Sequence, residues 1–232
     1  MKLSIIIPVY NEATTLATLL KRVLAVPFRD KEILVVDDGS DSETKDLLET
    51  AVSDHHVLLI THPQNRGKGT AVCTALEHVT GDVVIIQDAD LEYFPEDYVK
   101  LLQVYQNNNA QAVYGVRDLS SRSSLMKWGN YLMTFATNLL FGSNLKDMET
   151  CYKLVDRQLM QSLHLSSMGF EIEAEITSKL LKNGIKIYEA PIRYEHREEG
   201  KKLTPWDGIP TLKTLIKYRF RRLSEPELQV EN

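Results

Sequence analysis

Two acidic clusters, each following a short apolar run, constrain the fold of this chain more than any other feature. They lie at the ends of the segments Val35–Ser40 (VVDDGS) and Ile85–Asp90 (IIQDAD). Continuous apolar runs of this length are typical of buried parallel strands. Because open α/β sheets bind ligands at the carboxyl ends of their strands, these acids are predicted to line a binding site.

The second cluster contains an Asp-x-Asp pair, Asp88 and Asp90, with Glu92 two residues further on. Side chains two residues apart on an extended chain point the same way. Such a pair could hold a hard divalent cation, and Mg²⁺ usually brings phosphate oxygens with it. The pattern predicts a nucleotide-diphosphate substrate, with Asp90 and Glu92 as metal ligands and Asp88 as a sugar or ribose contact. The simpler alternative is that these acids are only turn-forming strand ends.

Composition narrows the class of protein. The chain has 232 residues, 43% of them apolar and 25% charged, which fits one large globular domain. Its net charge of −5 gives no reason to expect a nucleic-acid partner. The two cysteines, Cys73 and Cys151, lie far apart, as expected for a cytoplasmic protein. We expect neither a signal peptide nor a membrane-spanning segment.

Strand and helix signals alternate along the first half of the chain. This rhythm predicts a Rossmann-like, mostly parallel α/β sheet with right-handed crossovers and helices on both faces. Asn11 or Thr14 is expected to cap the first helix. The predicted strands are Leu3–Val9, Glu32–Asp37, Val57–Thr61, Asp82–Gln87 and Ala112–Val116, and the later helices of this half are Ser42–Val52, Lys68–Val79 and Glu96–Gln106.

The second half, from about Arg117, is more helical and less regular. Helices are predicted at Ser123–Phe141, Gln158–Leu163 and Glu171–Leu181, with short strands near Thr150–Val155 and Lys186–Tyr194. We expect one domain over residues 1–223, followed by a polar tail at 224–232.

Two loops add candidate ligand contacts. In the loop after the first strand, Tyr10 could stack on a base, and Glu12 could accept a hydrogen bond from it or from a ribose. Asp38 is predicted to bind base or ribose, while Asp37 and Gly39 shape the turn. The segment Asn65–Gly69 (NRGKG) lacks the Walker spacing. We interpret it as a glycine-rich turn opening a helix, from which Lys68 could approach a sugar or phosphate.

Taken together, six motifs resemble glycosyltransferase family 2 over roughly residues 3–220. Within that family, the chain is most similar to polyprenyl-phosphate (dolichyl-phosphate) glucosyl- and mannosyltransferases. The resemblance implies the GT-A fold, an inverting displacement on a nucleotide-diphosphate sugar, a donor half at about 1–116 and an acceptor half at about 117–223. The motifs are PVYNE, VVDDGS, NRGKG, DAD, DMETCYK and GFEIEAE.

The resemblance also implies roles for individual residues. Asp90 and Glu92 would hold Mg²⁺ or Mn²⁺, although relatives often have Gln at the second position. Arg117 matches an arginine that meets phosphate in such enzymes. The residues expected to contact the nucleotide sugar are Pro8, Tyr10, Glu12, Val36, Asp38, Asp88 and Ala89.

The acceptor decides the remaining chemistry. A saccharide hydroxyl needs a general base, and Asp147 or Glu149 could serve. A lipid phosphate is already an anion at neutral pH and needs cations instead. Enzymes of family 2 that act on sugar hydroxyls often carry a Q-x-x-R-W signature, and this sequence lacks it. The resemblance therefore favours a lipid phosphate as the acceptor, with Asp147 orienting cations or the sugar. The candidate cations are Arg117, Arg122, Lys127, Arg197, Lys201 and Lys202.

A polyprenyl phosphate would require contact with a membrane surface. Cations of the last helix could attract anionic headgroups. We expect a cytoplasmic protein held at the membrane peripherally or by a membrane protein partner. An apolar set in the helix after Arg117 could form an interfacial face or could pack in the core: Met126, Trp128, Leu132, Met133, Phe135, Leu139 and Phe141.

The sequence thus predicts a metal-dependent hexosyltransferase with a polyprenyl-phosphate acceptor. UDP-glucose is slightly favoured as the donor, and GDP-mannose is possible. One alternative is a family 2 enzyme that glycosylates a saccharide hydroxyl with Asp147 as base. Another is a non-catalytic sugar-nucleotide binding protein. A sugar nucleotidyltransferase is disfavoured because the expected G-x-G-T-R-L-type loop does not follow the first strand.

Overall fold

A computed structural model describes residues 1–52, 57–119, 124–197 and 208–221. A seven-stranded sheet forms its centre, in the order β3-β2-β1-β4-β6-β5-β7. The strands are β1 (Leu3–Val9), β2 (Lys31–Asp37), β3 (Val57–Thr61), β4 (Val83–Ile86), β5 (Ala112–Arg117), β6 (Lys153–Asp156) and β7 (Ile187–Ile192).

The central strands are parallel and almost fully buried. β1 lies between β2 and β4, with Leu3 opposite both Lys31 and Val83. All four residues of β4 and the last five of β2 are buried, as expected for strands covered on both faces. Since β2, β1 and β4 are adjacent and parallel, their carboxyl ends meet at one edge of the sheet, which we call the carboxyl edge. The predicted strands of the first half are confirmed to within about one residue at each end.

Helices cover this sheet. In the first helix, Leu16, Leu19, Leu20 and Val23 form the buried stripe that the sequence pattern predicts. The described helices are α1 (Ala13–Ala25), α2 (Ser42–Val52), α3 (Lys68–Leu76), α4 (Tyr98–Asn107), α5 (Ser124–Phe141), α6 (Arg157–Ser162), α7 (Ile172–Lys182) and α8 (Gly208–Phe220), with a 3-10 turn at Pro95–Asp97.

Two helix starts differ from the sequence expectation. Glu12, not Asn11 or Thr14, occupies the N-cap position of α1, and its side chain makes no capping hydrogen bond. Asn11 is instead used across the carboxyl edge, where its Oδ1 accepts a hydrogen bond from Asp41 N at 2.9 Å. The helix expected from Glu96 begins at Tyr98, because Pro95–Asp97 forms the 3-10 turn first.

The second half of the chain joins the same sheet. β6 runs antiparallel between β4 and β5, whereas β7 pairs in parallel with β5. Because β6 is antiparallel, its amino end points to the carboxyl edge. The segment before it, which contains Asp147 and Glu149, therefore lies at the same edge as the acids that follow β2 and β4.

A second, smaller core forms where α5, α7 and α8 meet. It contains Met133, Met148, Ala174 and Leu215, with Leu140 and Phe141 packed against it. None of the helices in the described ranges is long and apolar enough to cross a membrane.

Candidate active site

One cavity of about 1040 Å³ opens at the carboxyl edge. Its size suits a nucleotide-sized ligand, since small-molecule pockets typically measure about 300–1,000 Å³. One end is polar and is formed by the loops after β1, β2 and β4. The other end lies between α5 and α8.

Most of the predicted site residues line this cavity together. The structure brings to it Pro8, Tyr10, Glu12, Asp38, Lys68, Asp88, Ala89, Asp90, Glu92, Arg117 and Arg197. These residues come from six parts of the sequence, each at or after the carboxyl end of one of the parallel strands β1, β2, β3, β4, β5 and β7.

Three predicted contacts have a different outcome. The Val36 side chain is fully buried within β2 and is not among the described residues that line the cavity. Asp147 is also buried and lies behind Arg117. Lys202, together with Arg122 and Lys201, lies outside the described residues.

Asp38 organises the glycine-rich turn. Its carboxylate accepts hydrogen bonds from Arg66 N at 2.9 Å and Gly67 N at 2.7 Å. His62 Nδ1 lies 2.7 Å from Asp38 Oδ1. The expected turn roles also hold, since Asp37 Oδ1 accepts from Ser40 N at 2.9 Å and Gly39 has a φ of +76°.

Gly67 is required by both backbone conformation and space. Its φ is +93°, and a Cβ there would lie 2.3 Å from the carbonyl oxygen of Met168. This close approach ties the start of α3 to the segment before α7. The glycine-rich turn that was expected to open a helix at Asn65–Gly69 is therefore confirmed.

The acids after β4 lie close enough to repel one another, and Asp90 bears most of the effect. Burial, with the nearby charges of Asp88 and Glu92, raises the pKa of Asp90 to about 7. A divalent cation would relieve this repulsion, so the residues fit a metal. Within the described ranges no group of three or more His, Cys, Asp or Glu side chains is placed to hold a metal ion by itself. An ion held here would take further ligands from substrate or water, as Mg²⁺ commonly does.

Glu92 also anchors the segment after β7. Its carboxylate accepts hydrogen bonds from the hydroxyl of Tyr194 and, at 3.1 Å, from Arg197 N. His196 Nδ1 lies 3.1 Å from Glu92 Oε1. Tyr194 is a site residue that the sequence does not predict, because its pairing with Glu92 spans 102 residues of chain.

Arg197 reaches from this segment to the loop after β1. Its guanidinium donates two hydrogen bonds to the Glu12 carboxylate, at 2.9 and 2.8 Å. The charges of Asp90 and Glu92 also act on Arg197. Arg197, which was predicted to be a cation for the acceptor phosphate, is thus held over the polar end of the cavity.

Arg117 is held by a buried polar cluster. Its Nε and Nη2 donate to Asp147 at 2.7 and 2.8 Å, and Nη2 also donates to Asn130 Oδ1 at 2.6 Å. Burial acts to raise the pKa of Asp147, but the charge of Arg117 and its hydrogen bonds hold that pKa below the ordinary value. A carboxylate in this state is a weak base and a strong anchor for a guanidinium.

The other end of the cavity has apolar walls from α5 and α8. Leu132, Ile209, Leu212 and Ile216 line it, and Trp128 is 72% exposed at its mouth. Of the predicted interfacial set, Trp128, Leu132, Phe135 and Leu139 are exposed, whereas Met133 is buried and Phe141 packs on the smaller core. The side chain of Met126 is not among those described.

Comparison with known proteins agrees with this geometry. The family model described as "Glycosyl transferase family 2" matches residues 4–163. Dolichol-phosphate mannosyltransferase of Pyrococcus furiosus is 28% identical over 210 residues, covering 87% of this chain and 58% of the relative. Glycosyltransferase AglJ of Haloferax volcanii is 31% identical over 204 residues, covering 84% and 64%.

A third relative is an undecaprenyl-phosphate 4-deoxy-4-formamido-L-arabinose transferase of Enterobacter sp. strain 638. It is 28% identical over 208 residues, which cover 86% of this chain and 62% of the relative. The chain therefore spans 58 to 64% of the length of these curated relatives.

A solved structure supports the fold. Glucosyl-3-phosphoglycerate synthase of Mycobacterium tuberculosis, crystallised with Mn²⁺, UDP-glucose and phosphoglyceric acid, superposes with a TM-score of 0.72 at 19% identity, covering 96% of this chain and 81% of that one. The mostly parallel sheet with its one antiparallel strand is the GT-A arrangement that the motifs implied. The chain belongs to glycosyl transferase family 2.

Proposed function

We propose that this protein transfers a hexose from a nucleotide-diphosphate sugar to a polyprenyl phosphate at a membrane surface. One observation carries the proposal: a single cavity joins the acids at the carboxyl edge to the exposed apolar walls of α5 and α8. The polar end suits a nucleotide sugar, and the apolar end suits the first units of a lipid chain.

The donor end supports a metal-dependent reaction. Asp90 and Glu92 would hold Mg²⁺ or Mn²⁺. Such an ion would offset charge on the leaving nucleoside diphosphate. Pro8, Tyr10, Glu12, Asp88 and Ala89 line the same end and would contact the nucleotide sugar. The M. tuberculosis enzyme of the same fold was crystallised with Mn²⁺ and UDP-glucose, in keeping with UDP-glucose as the favoured donor. GDP-mannose is the second candidate, in keeping with the relative named dolichol-phosphate mannosyltransferase.

The acceptor end supports a phosphate nucleophile. Arg117 lines the cavity, where its guanidinium would attract the acceptor phosphate. A phosphate monoester needs no general base at neutral pH, because its second pKa is about 6. Two of the relatives are named for dolichol phosphate and undecaprenyl phosphate. Attack from the side opposite the leaving group would invert the anomeric centre.

The environment of Asp147 weighs against the saccharide-hydroxyl alternative in which Asp147 is the base. A general base must reach the proton it removes. Asp147 is 2% exposed, and its carboxylate binds Arg117 through both oxygens. This favours the orienting role for Asp147.

Exposed apolar side chains support attachment to a membrane surface. Trp128, Phe135 and Leu139 of α5 and Phe220 of α8 are each more than 60% exposed. Lys213, Lys217 and Arg219 lie on α8 among them and would attract anionic headgroups, each contributing about 1 kcal/mol near the surface. The protein would thus lie on the cytoplasmic face, alone or with a membrane protein partner.

A panel assay tests the proposal. Purified protein is incubated with Mn²⁺, UDP- or GDP-sugars and a short polyprenyl phosphate, and the glycolipid is detected by mass spectrometry. We expect transfer that depends on both the metal and the lipid phosphate. Transfer to lipid-free saccharides alone would favour the hydroxyl alternative. Tight nucleotide-sugar binding without any turnover would favour the non-catalytic alternative.

A further inference from the structure

A chain of alternating charges runs from Asp88, at the polar end of the cavity, to the turn that follows Asp147. Lys68 Nζ lies 2.7 Å from Asp88 Oδ1 and 3.0 Å from Glu173 Oε1. Glu173 Oε2 lies 2.8 Å from Lys153 Nζ. Glu173, in the first turn of α7, is the member that touches both lysines.

The first lysine belongs to the donor end. Burial acts to lower the pKa of Lys68, but Asp88, Cys151 and Glu173 together raise it well above the ordinary value. Lys68 therefore stays charged, and its position between two carboxylates fixes the orientation of Asp88, which lines the cavity.

The second lysine holds the acceptor end. Lys153 is fully buried at the start of β6, with its ammonium 4.7 Å from the centre of the Tyr114 ring. That ammonium donates to the carbonyl oxygens of Met148, at 2.9 Å, and Thr150. These carbonyls belong to the turn that follows Asp147, the anchor of Arg117.

We propose that Glu173 is a positioning residue that fixes the donor contacts of Lys68 and Asp88 relative to the turn that carries the Arg117 anchor. It acts through the two lysines. The inference depends on the proposed function, since it assigns Lys68 and Asp88 to the donor and Arg117 to the acceptor. Such coupling matters because a misplacement of about 1 Å can lower the rate about 10²-fold.

Two substitutions test this role. Glu173→Gln keeps the side-chain size but removes the charge that holds both lysines, so we expect kcat to fall about 10²-fold. Glu173→Asp keeps the charge but is one methylene too short to reach both lysines, and we expect about a 10-fold loss. KM for the nucleotide sugar should stay within about 3-fold, because base and diphosphate contacts remain.

Glu175→Gln is the matched control. Glu175 lies on the same helix and is also buried, but it pairs with Lys179 and binds Ser166 and Ser167. It should lose thermal stability while keeping kcat at temperatures where it is folded. Rates are measured alongside melting temperatures, with whichever acceptor the wild type uses.

The outcomes separate the two proposals. A wild-type enzyme that ignores polyprenyl phosphate counts against the proposed function only. If both Glu173 variants keep wild-type kcat, or lose no more than Glu175→Gln at equal stability, the positioning role is overturned. A large rise in KM with unchanged kcat would also overturn it, because Glu173 would then bind the donor directly.

Discussion

Arg117, which lines the cavity, and Asp147 behind it form a two-point ion pair, with N–O distances of 2.7 and 2.8 Å and with both side chains at least 95% buried. In the proposed reaction, Arg117 is the fixed cation for the acceptor phosphate. The Asp147 carboxylate, which a saccharide-hydroxyl acceptor would need as its base, is already bound to Arg117.

Asp147→Asn tests which role the carboxylate has. We expect the free energy of unfolding to fall by about 3–5 kcal/mol, because a buried Arg117 loses its counter-ion. Transfer at a permissive temperature should stay within about 10-fold of wild type, whereas loss of a general base costs about 10²–10⁴-fold. Urea unfolding and initial rates measure the two effects. A rate loss of 10²-fold or more with full stability would indicate a base.

Asp90→Asn tests the metal assignment. Removing this carboxylate should abolish Mn²⁺ binding in the presence of UDP and lower transfer about 10²–10³-fold. Calorimetric titration of Mn²⁺ into the UDP complex gives the binding result directly. Asp82→Asn is a suitable control, since Asp82 is exposed just before the amino end of the same strand, β4. Unchanged Mn²⁺ affinity in Asp90→Asn would remove Asp90 from the site.

Replacing Trp128 and Phe135 with Ser tests membrane attachment. The loss of two exposed aromatic side chains should weaken binding to anionic vesicles about 10–100-fold, since interfacial affinity follows buried apolar area. Co-sedimentation with phosphatidylglycerol vesicles measures this. Leu58→Ser, on the edge strand β3 and 47% exposed in the parent protein, should have no effect. Equal binding by the double variant would rule out this face.

Gly67→Ala tests the glycine-rich turn. A Cβ at a φ of +93° and 2.3 Å from Met168 O should lower the free energy of unfolding by about 1–3 kcal/mol or more and weaken nucleotide-sugar binding. Gly142→Ala is the control that separates backbone strain from a clash with neighbouring atoms. Gly142 also has a positive φ, +67°, but an added Cβ would meet no described atom within 4 Å. The Gly142 variant should lose less stability and bind normally. Equal losses of stability in the two variants would mean that the close approach of Gly67 to Met168 is unimportant.

Glu175 makes stability depend on pH. Burial acts to raise the pKa of Glu175, but hydrogen bonds from Tyr218, Ser167 and Lys179 lower it to about 2. Because the folded pKa lies below the ordinary value, this carboxylate stabilises the fold above about pH 4.5, by about 3 kcal/mol, and the contribution disappears as the pH falls towards 2. Glu175→Gln should reduce stability at pH 7 and flatten its decline below pH 4.5, as measured by urea unfolding. Glu77 is exposed, so the control variant Glu77→Gln should change neither the stability at pH 7 nor its decline below pH 4.5. An unaltered pH dependence in Glu175→Gln would show that Glu175 is not the group responsible.

Much of the site could be read from local sequence. Asp38, Asp88 and Asp90 directly follow apolar strands, so knowing the strands locates the acids. The same logic fails for Val36, which precedes the strand end and remains in the core. It also misses Tyr194 and Glu173, which come after β6 and meet their partners only in the folded chain.

The sequence by itself determined the alternating strands and helices, the parallel first half of the sheet and the acids at its carboxyl edge. These follow from apolar periodicity and strand ends, which are properties of neighbouring residues. Only the tertiary structure decided that β6 inserts antiparallel between β4 and β5, bringing Asp147 to Arg117 and Lys153 to Glu173. The reason is physical: strand order and buried ion pairs depend on which surfaces pack together across long stretches of chain, and a local pattern does not specify that choice.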